Sequence, residues 1–127
     1  MEEAYRSTMR DQLKTSKITL MPVHGRAHWC LVGVTKDAVH VLDSMGRTGT
    51  ESGLLDAMRW LCPELPSRVE RPDVAQQSDA VSCGIFTIAF ADAIVESSNQ
   101  AFWTLPQSID AWGVRRRLLD EASAGKT

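Results

Sequence analysis

Tyr5, Met9 and Leu13 recur every four residues between Glu2 and Thr15, in a stretch otherwise made of polar helix formers. That spacing predicts a helix laid on a core by one thin apolar stripe. Ile18 to Val23 reads as a short strand. Trp29 to Val34 and Val39 to Leu42 are rich in β-branched residues, and Thr35-Lys36-Asp37-Ala38 separates them, so an antiparallel hairpin is expected and three strands should be adjacent. After the polar loop from Asp43 to Gly49, a helix is predicted over Glu51 to Cys62. Its apolar face carries Leu54, Leu55, Met58 and Leu61, and Pro63 stops it. Arg68 to Val74 suggests a short exposed strand broken by Pro72. Ser82 to Val95 is the most apolar stretch, with Ile85, Phe86, Ile88, Phe90 and Ile94 distributed nearly all round, so a central, buried helix is expected with Ser82 as its cap. Beyond the connection from Asn99 to Pro106, Ser108 is placed to cap a last helix bearing Ile109, Trp112, Leu118 and Leu119.

The order of elements predicts an α+β fold with a small central mixed sheet flanked by helices. One domain should span 1–127, with 1–16 as an N-terminal helix and the core from residue 17. A chain of 127 residues is long enough for one core without disulfide staples. Hydrophobic residues at 43% and charged residues at 24% are ordinary globular values. A formal net charge of -2 gives no basic footprint, so nucleic acid is not an expected partner. No apolar run approaches a membrane span, and the start Met-Glu-Glu-Ala-Tyr has no signal-peptide pattern. A soluble, intracellular protein in a reducing compartment is therefore expected, with no membrane partner. Three cysteines is an odd number, and no Cys/His set has zinc spacing, so neither metal nor cofactor is predicted.

The chemistry concentrates in four residues. Cys83 lies in Ser82-Cys83-Gly84-Ile85-Phe86 at the start of the apolar helix, Gln77 is six residues upstream, and a His28-Trp29 pair comes much earlier, followed by Asp43. A thiol attacks as thiolate, a form favoured by a helix N-terminus and by a nearby imidazolium; Cys83 is placed to have both. A carboxylate that accepts from one ring nitrogen fixes the tautomer of a histidine, which is the part Asp43 offers His28. Acyl transfer passes through an oxyanion, and the Gln77 amide with the Cys83 backbone N–H supplies donors for it. Taken together these are the parts of a cysteine hydrolase.

The order His28-Trp29, Asp43, Gln76-Gln77 and Ser82-Cys83-Gly84 resembles that of the ubiquitin-like-protein proteases, the sentrin-specific and adenain-like group of cysteine proteases. Ile18 to Val23 is similar to that family's first core strand and Arg115-Arg116-Arg117-Leu118-Leu119 to its basic closing helix, so the resemblance runs from about Lys17 onward. It implies the family's cysteine-protease fold and hydrolysis after the C-terminal glycine of SUMO, NEDD8, ubiquitin or a similar modifier. Cys83 would be nucleophile, His28 base, Asp43 its orienter and Gln77 the oxyanion donor, with Trp29 and Gln76 as substrate-binding residues. Trp29 would wall a narrow channel that admits a glycine tail, since any side chain there would meet the indole. The chain departs from the family pattern at Ser82, commonly Asp, and at Asp79, commonly Asn. It also lacks, ahead of Tyr5, the segment with a second tryptophan that completes the channel, so either the chain is a fragment or its channel is more open.

Blander readings stand beside these. Alone, Cys83 would be an inert buried thiol, and Asp43 a loop residue, with Asp37 its only rival near the hairpin. Gln76 competes with Gln77 for the oxyanion. Trp60, Trp103 and Trp112 read as packing, Cys30 and Cys62 as structural, His24 and His40 as surface or turn residues, and Arg115 to Arg117 as a solvated helix face. Two rival functions remain: an effector-type acetyltransferase using the same cysteine, and an inactive domain that only binds a ubiquitin-like protein. Oligomeric state is not written in the sequence.

Overall fold

The sequence His28-Trp29-Cys30-Leu31-Val32-Gly33-Val34 alternates between two apolar faces, as a strand covered on both sides must. The structure, a computed structural model, describes residues 3–96, 105 and 108–124. This segment is β2 (His28–Val34), paired along its whole length with β1 (Thr19–Gly25), antiparallel, from Thr19 opposite Val34 to Gly25 opposite His28. On its other side β3 (Val39–Leu42) runs antiparallel, with Leu31 opposite Leu42. The two-residue β4 (Val69–Glu70) joins β3 in parallel, so the sheet is mixed and its order is β1-β2-β3-β4.

Alternation then divides the core. Cys30, Val32 and Val34 of β2, with Val39 and Val41 of β3, pack against Leu13 of α1 (Glu3–Thr15), Leu55 and Met58 of α2 (Ser52–Leu61), and Cys62. Leu31 and Leu42 face Phe86, Phe90 and Ile94 of α3 (Cys83–Glu96) together with Val74, Ala75 and Leu105. Each of the Val, Leu, Ile, Phe and Met side chains among them contributes roughly 1.5–3 kcal/mol on leaving water. α4 (Ala111–Ala124) packs on α3, and Arg117 reaches Asp92 across the two helices. Among the described residues no helix is long and apolar enough to cross a membrane.

Several expectations are corrected. The helix over Ser82 to Val95 is not buried all round: Ile88 and Val95 are exposed, and its buried stripe runs through Cys83, Phe86, Thr87, Phe90 and Ile94. The last helix begins after Asp110, not Ser108. The Asp110 carboxylate accepts from Gly113 N at 3.1 Å and its carbonyl from Val114 N at 3.0 Å, so Asp110 supplies the cap. Trp60 and Trp112, read as packing residues, are 70% and 77% exposed, each beneath a guanidinium, Arg6 and Arg115 respectively. His40, read as a surface or turn residue, is buried on β3. The strand expected over Arg68 to Val74 shrinks to β4, which is half-buried rather than exposed. Glu2, Trp103 and the connection from Asn99 to Pro106, Leu105 excepted, lie outside the described residues.

Candidate active site

β1 and β2 are joined by only Arg26 and Ala27, both with positive φ, 54° and 56°. Positive φ at both central residues is what a tight hairpin turn with the right twist needs. The turn delivers His28 as the first residue of β2. Asp43 lies just beyond β3, and extending the β2–β3 register puts it opposite Cys30, hence diagonal to His28 on the same side of the sheet. His28 Nε2 and Asp43 Oδ1 are 2.6 Å apart and both residues are buried. The carboxylate is otherwise satisfied: Oδ1 accepts from Met45 N at 2.9 Å, and Oδ2 from the Thr48 hydroxyl at 2.5 Å.

Cys83 opens α3 at the same end of β2. A Cβ at position 84 would stand 3.7 Å from Cδ1 of Trp29, the neighbour of His28, so the backbone beside the thiol rests against that indole. Trp29 is partly exposed and also makes a tilted stack with His24, ring centroids 4.8 Å apart. The helix start is built by Asp79. Its Oδ1 accepts from Val81 N at 2.8 Å and Ser82 N at 2.7 Å, and its Oδ2 from the Ser82 hydroxyl at 2.7 Å. Those bonds, the Ser82 hydroxyl's first, hold the Asp79 carboxyl below its ordinary value. Ser82 thus gives its hydroxyl to Asp79, while its carbonyl accepts from Phe86 N at 3.0 Å as the first link of the helix.

Gln77 is tied to the segment after β3 that carries the acid. Its backbone N–H donates to the Ser44 carbonyl at 2.9 Å, and its side-chain oxygen accepts from the Ser44 hydroxyl. Its amide nitrogen donates to the Asp79 carbonyl at 2.7 Å, which leaves a second N–H on that nitrogen. The Gln76 amide donates to the carbonyls of Asp43 at 3.2 Å and Val74 at 3.1 Å. Beneath this ring the Cys30 thiol is pushed up to about 12, by burial first and then by the charges of Asp43 and Glu51, which keeps it a neutral core group. Ser44, Thr48 and Asp79 are the members that sequence reasoning gave no role in the site. Their signal, short polar residues clustered after a strand and before a helix, is common to most turns. Among the described residues no three His, Cys, Asp or Glu side chains are grouped to hold a metal ion.

Comparisons with known proteins bear on this arrangement. A model of the Ulp1 protease family, C-terminal catalytic domain, matches residues 2–122. Among solved structures, that of the Xanthomonas campestris effector protein XopD bound to ubiquitin aligns with a TM-score of 0.68 at 20% identity, covering 94% of this chain and 70% of that one. The Chaetomium thermophilum Ulp1-like SUMO protease catalytic domain aligns with a TM-score of 0.56 at 22% identity, covering 81% of this chain and 44% of that one. A second structure of Xanthomonas XopD gives 0.54 at 21% identity, with 81% and 65% covered. These alignments establish a shared fold. A comparison with curated proteins finds no match.

Proposed function

The chain belongs to the Ulp1 protease family, a family of cysteine peptidases, and from that premise we propose that it hydrolyses the peptide or isopeptide bond after the C-terminal glycine of a ubiquitin-like modifier. The observation that carries the reading is the His28 Nε2–Asp43 bond at the end of the sheet where Gly84 meets Trp29. Two relatives of the same fold support the substrate class, one solved with ubiquitin and the other a SUMO protease.

With Nε2–H given to Asp43, Nδ1 of His28 is left as the basic nitrogen. In the proposed cycle the Cys83 thiolate attacks the carbonyl carbon of the terminal glycine. The oxyanion formed accepts from the Cys83 N–H, free of helix bonding in the first turn, and from the remaining N–H of Gln77. His28, as imidazolium, gives its Nδ1 proton to the departing amine, and the C–N bond breaks to leave a thioester. Neutral His28 then takes a proton from water as its oxygen attacks the thioester, and collapse releases the thiolate and the modifier's carboxylic acid, which loses its proton to solvent. Trp29 rests against the backbone at Gly84, next to the reacting residue, and in this cycle it restricts the tail to glycine.

The test is a set of ubiquitin, SUMO and NEDD8 probes, each ending in a propargylamide. One of them should be captured covalently by the wild-type protein and none by Cys83→Ala. Reversible binding without capture would instead identify a binding module.

A further inference from the structure

An oxyanion donor made from a glutamine has an orientation problem. The two ends of a side-chain amide have nearly the same shape, and only the nitrogen can donate. The surroundings of Gln77 solve it. The Asp79 carbonyl can only accept, so the amide nitrogen must face it, at 2.7 Å. The oxygen then faces the Ser44 hydroxyl, which donates. Ser44 is 1% exposed, so no water stands in for it, and its carbonyl also holds the Gln77 backbone N–H at 2.9 Å.

We propose that Ser44 is a positioning residue which fixes the Gln77 amide nitrogen-first toward the reacting carbonyl. The inference rests on the reading of Gln77 as oxyanion donor. It also makes Asp43-Ser44 a single lever: one residue orients the base, and the next orients the amide. Without the Ser44 hydroxyl the amide oxygen of the half-buried Gln77 loses its donor, and the side chain gains rotations that aim its oxygen at a developing negative charge. That error is felt in the transition state and little in the bound substrate, so kcat should change and KM should not.

The experiment is a double-mutant cycle of Ser44→Ala and Gln77→Ala in the full chain. Turnover is followed on the C-terminal aminomethylcoumarin amides of ubiquitin, SUMO and NEDD8, with kcat and KM separated. Ser44→Ala should lower kcat roughly tenfold at unchanged KM, the size expected of one hydrogen bond of this kind. In the Gln77→Ala background it should cost nothing further. Equal losses in both backgrounds would mean that Ser44 acts through Asp43 or the fold, and would overturn the proposal. If Gln77→Ala lowers kcat about 10²- to 10³-fold while Ser44→Ala leaves it within about twofold, the oxyanion reading stands and this one falls. If Gln77→Ala costs less than tenfold, or no substrate is turned over, both fall. Ser44→Cys, close in volume but a weak donor, runs the same cycle if the alanine variant loses its thermal transition.

Discussion

The Asp43 carboxylate accepts three hydrogen bonds from a buried position, so removing it strands His28, Met45 N and the Thr48 hydroxyl together. Asp43→Ala should lower kcat on the order of 10⁴-fold, the scale at which losing the acid costs a nucleophile–histidine–acid enzyme. Steady-state kinetics on the variant, with circular dichroism to show it folded, checks this; a loss under tenfold would assign the orientation of His28 to another group. That His28 and Asp43 meet was legible in the sequence, because strand ends joined by a short hairpin have few places to go. The hydroxyls were not. Ser44 finds its partner only when residues 76 and 77 close against the segment after β3, and Thr48 only when that segment folds back on Asp43, and nothing in a serine's or threonine's sequence neighbours tells which contact will form.

Among the elements, the β1–β2 connection shows how packing overrides local preference. Gly25-Arg26-Ala27-His28 lacks the Asn-Gly pair that announces a two-residue hairpin, yet both central residues take positive φ, because burying β2 on two faces outweighs the strain. Left-handed backbone at a residue with a Cβ costs roughly 1–2 kcal/mol, part of which a glycine gives back through its freer unfolded chain. The double substitution Arg26→Asn, Ala27→Gly should therefore raise stability by about 1 kcal/mol, or a few degrees in Tm. Differential scanning calorimetry reads it, and a lowered Tm would mean that the turn is unstrained. The loop from Gln77 to Ser82 depends on Asp79 in a similar way. Because its folded-state value is depressed, the loop's hydrogen bonds are present at neutral pH and are lost as pH falls through that depressed value. Asp79→Ala should speed amide exchange at Val81 and Ser82 by about tenfold; unchanged exchange would mean that the loop is held by something else. The exposure of Ile88, Trp60 and Trp112 escaped the sequence reading for a different reason. Period and composition tell how apolar a helix is, but not which face lacks a neighbour.

At the scale of the molecule, the sheet is the one layer that touches both halves of the core, and His40 is a titratable ring set within it. It pairs with Glu70 across β3–β4, lies near the Thr35 hydroxyl at 3.4 Å, and feels the charges of Glu70 and Arg68. Burial is the largest influence and lowers its value from 6.5; Arg68 pushes the same way and Glu70 opposes. A histidine whose folded value is lowered prefers to be neutral when folded. The unfolded chain therefore takes up the proton first as pH falls through 6.5, and equilibrium moves toward unfolding. The stability contributed by a neutral His40 is complete above 6.5, declines toward the lower folded value, and is gone beneath it. Denaturant melts at pH values from about 8 to about 5 should show ΔG falling on the acid side, and His40→Gln, which cannot take up the proton, should flatten that slope. A variant as steep as the wild type would move the acid sensitivity to other groups. Because His40 sits on the strand that leads into Asp43, loss of this stability at acid pH should reach the candidate site along β3, and kcat should decline with ΔG in the wild type more steeply than in His40→Gln.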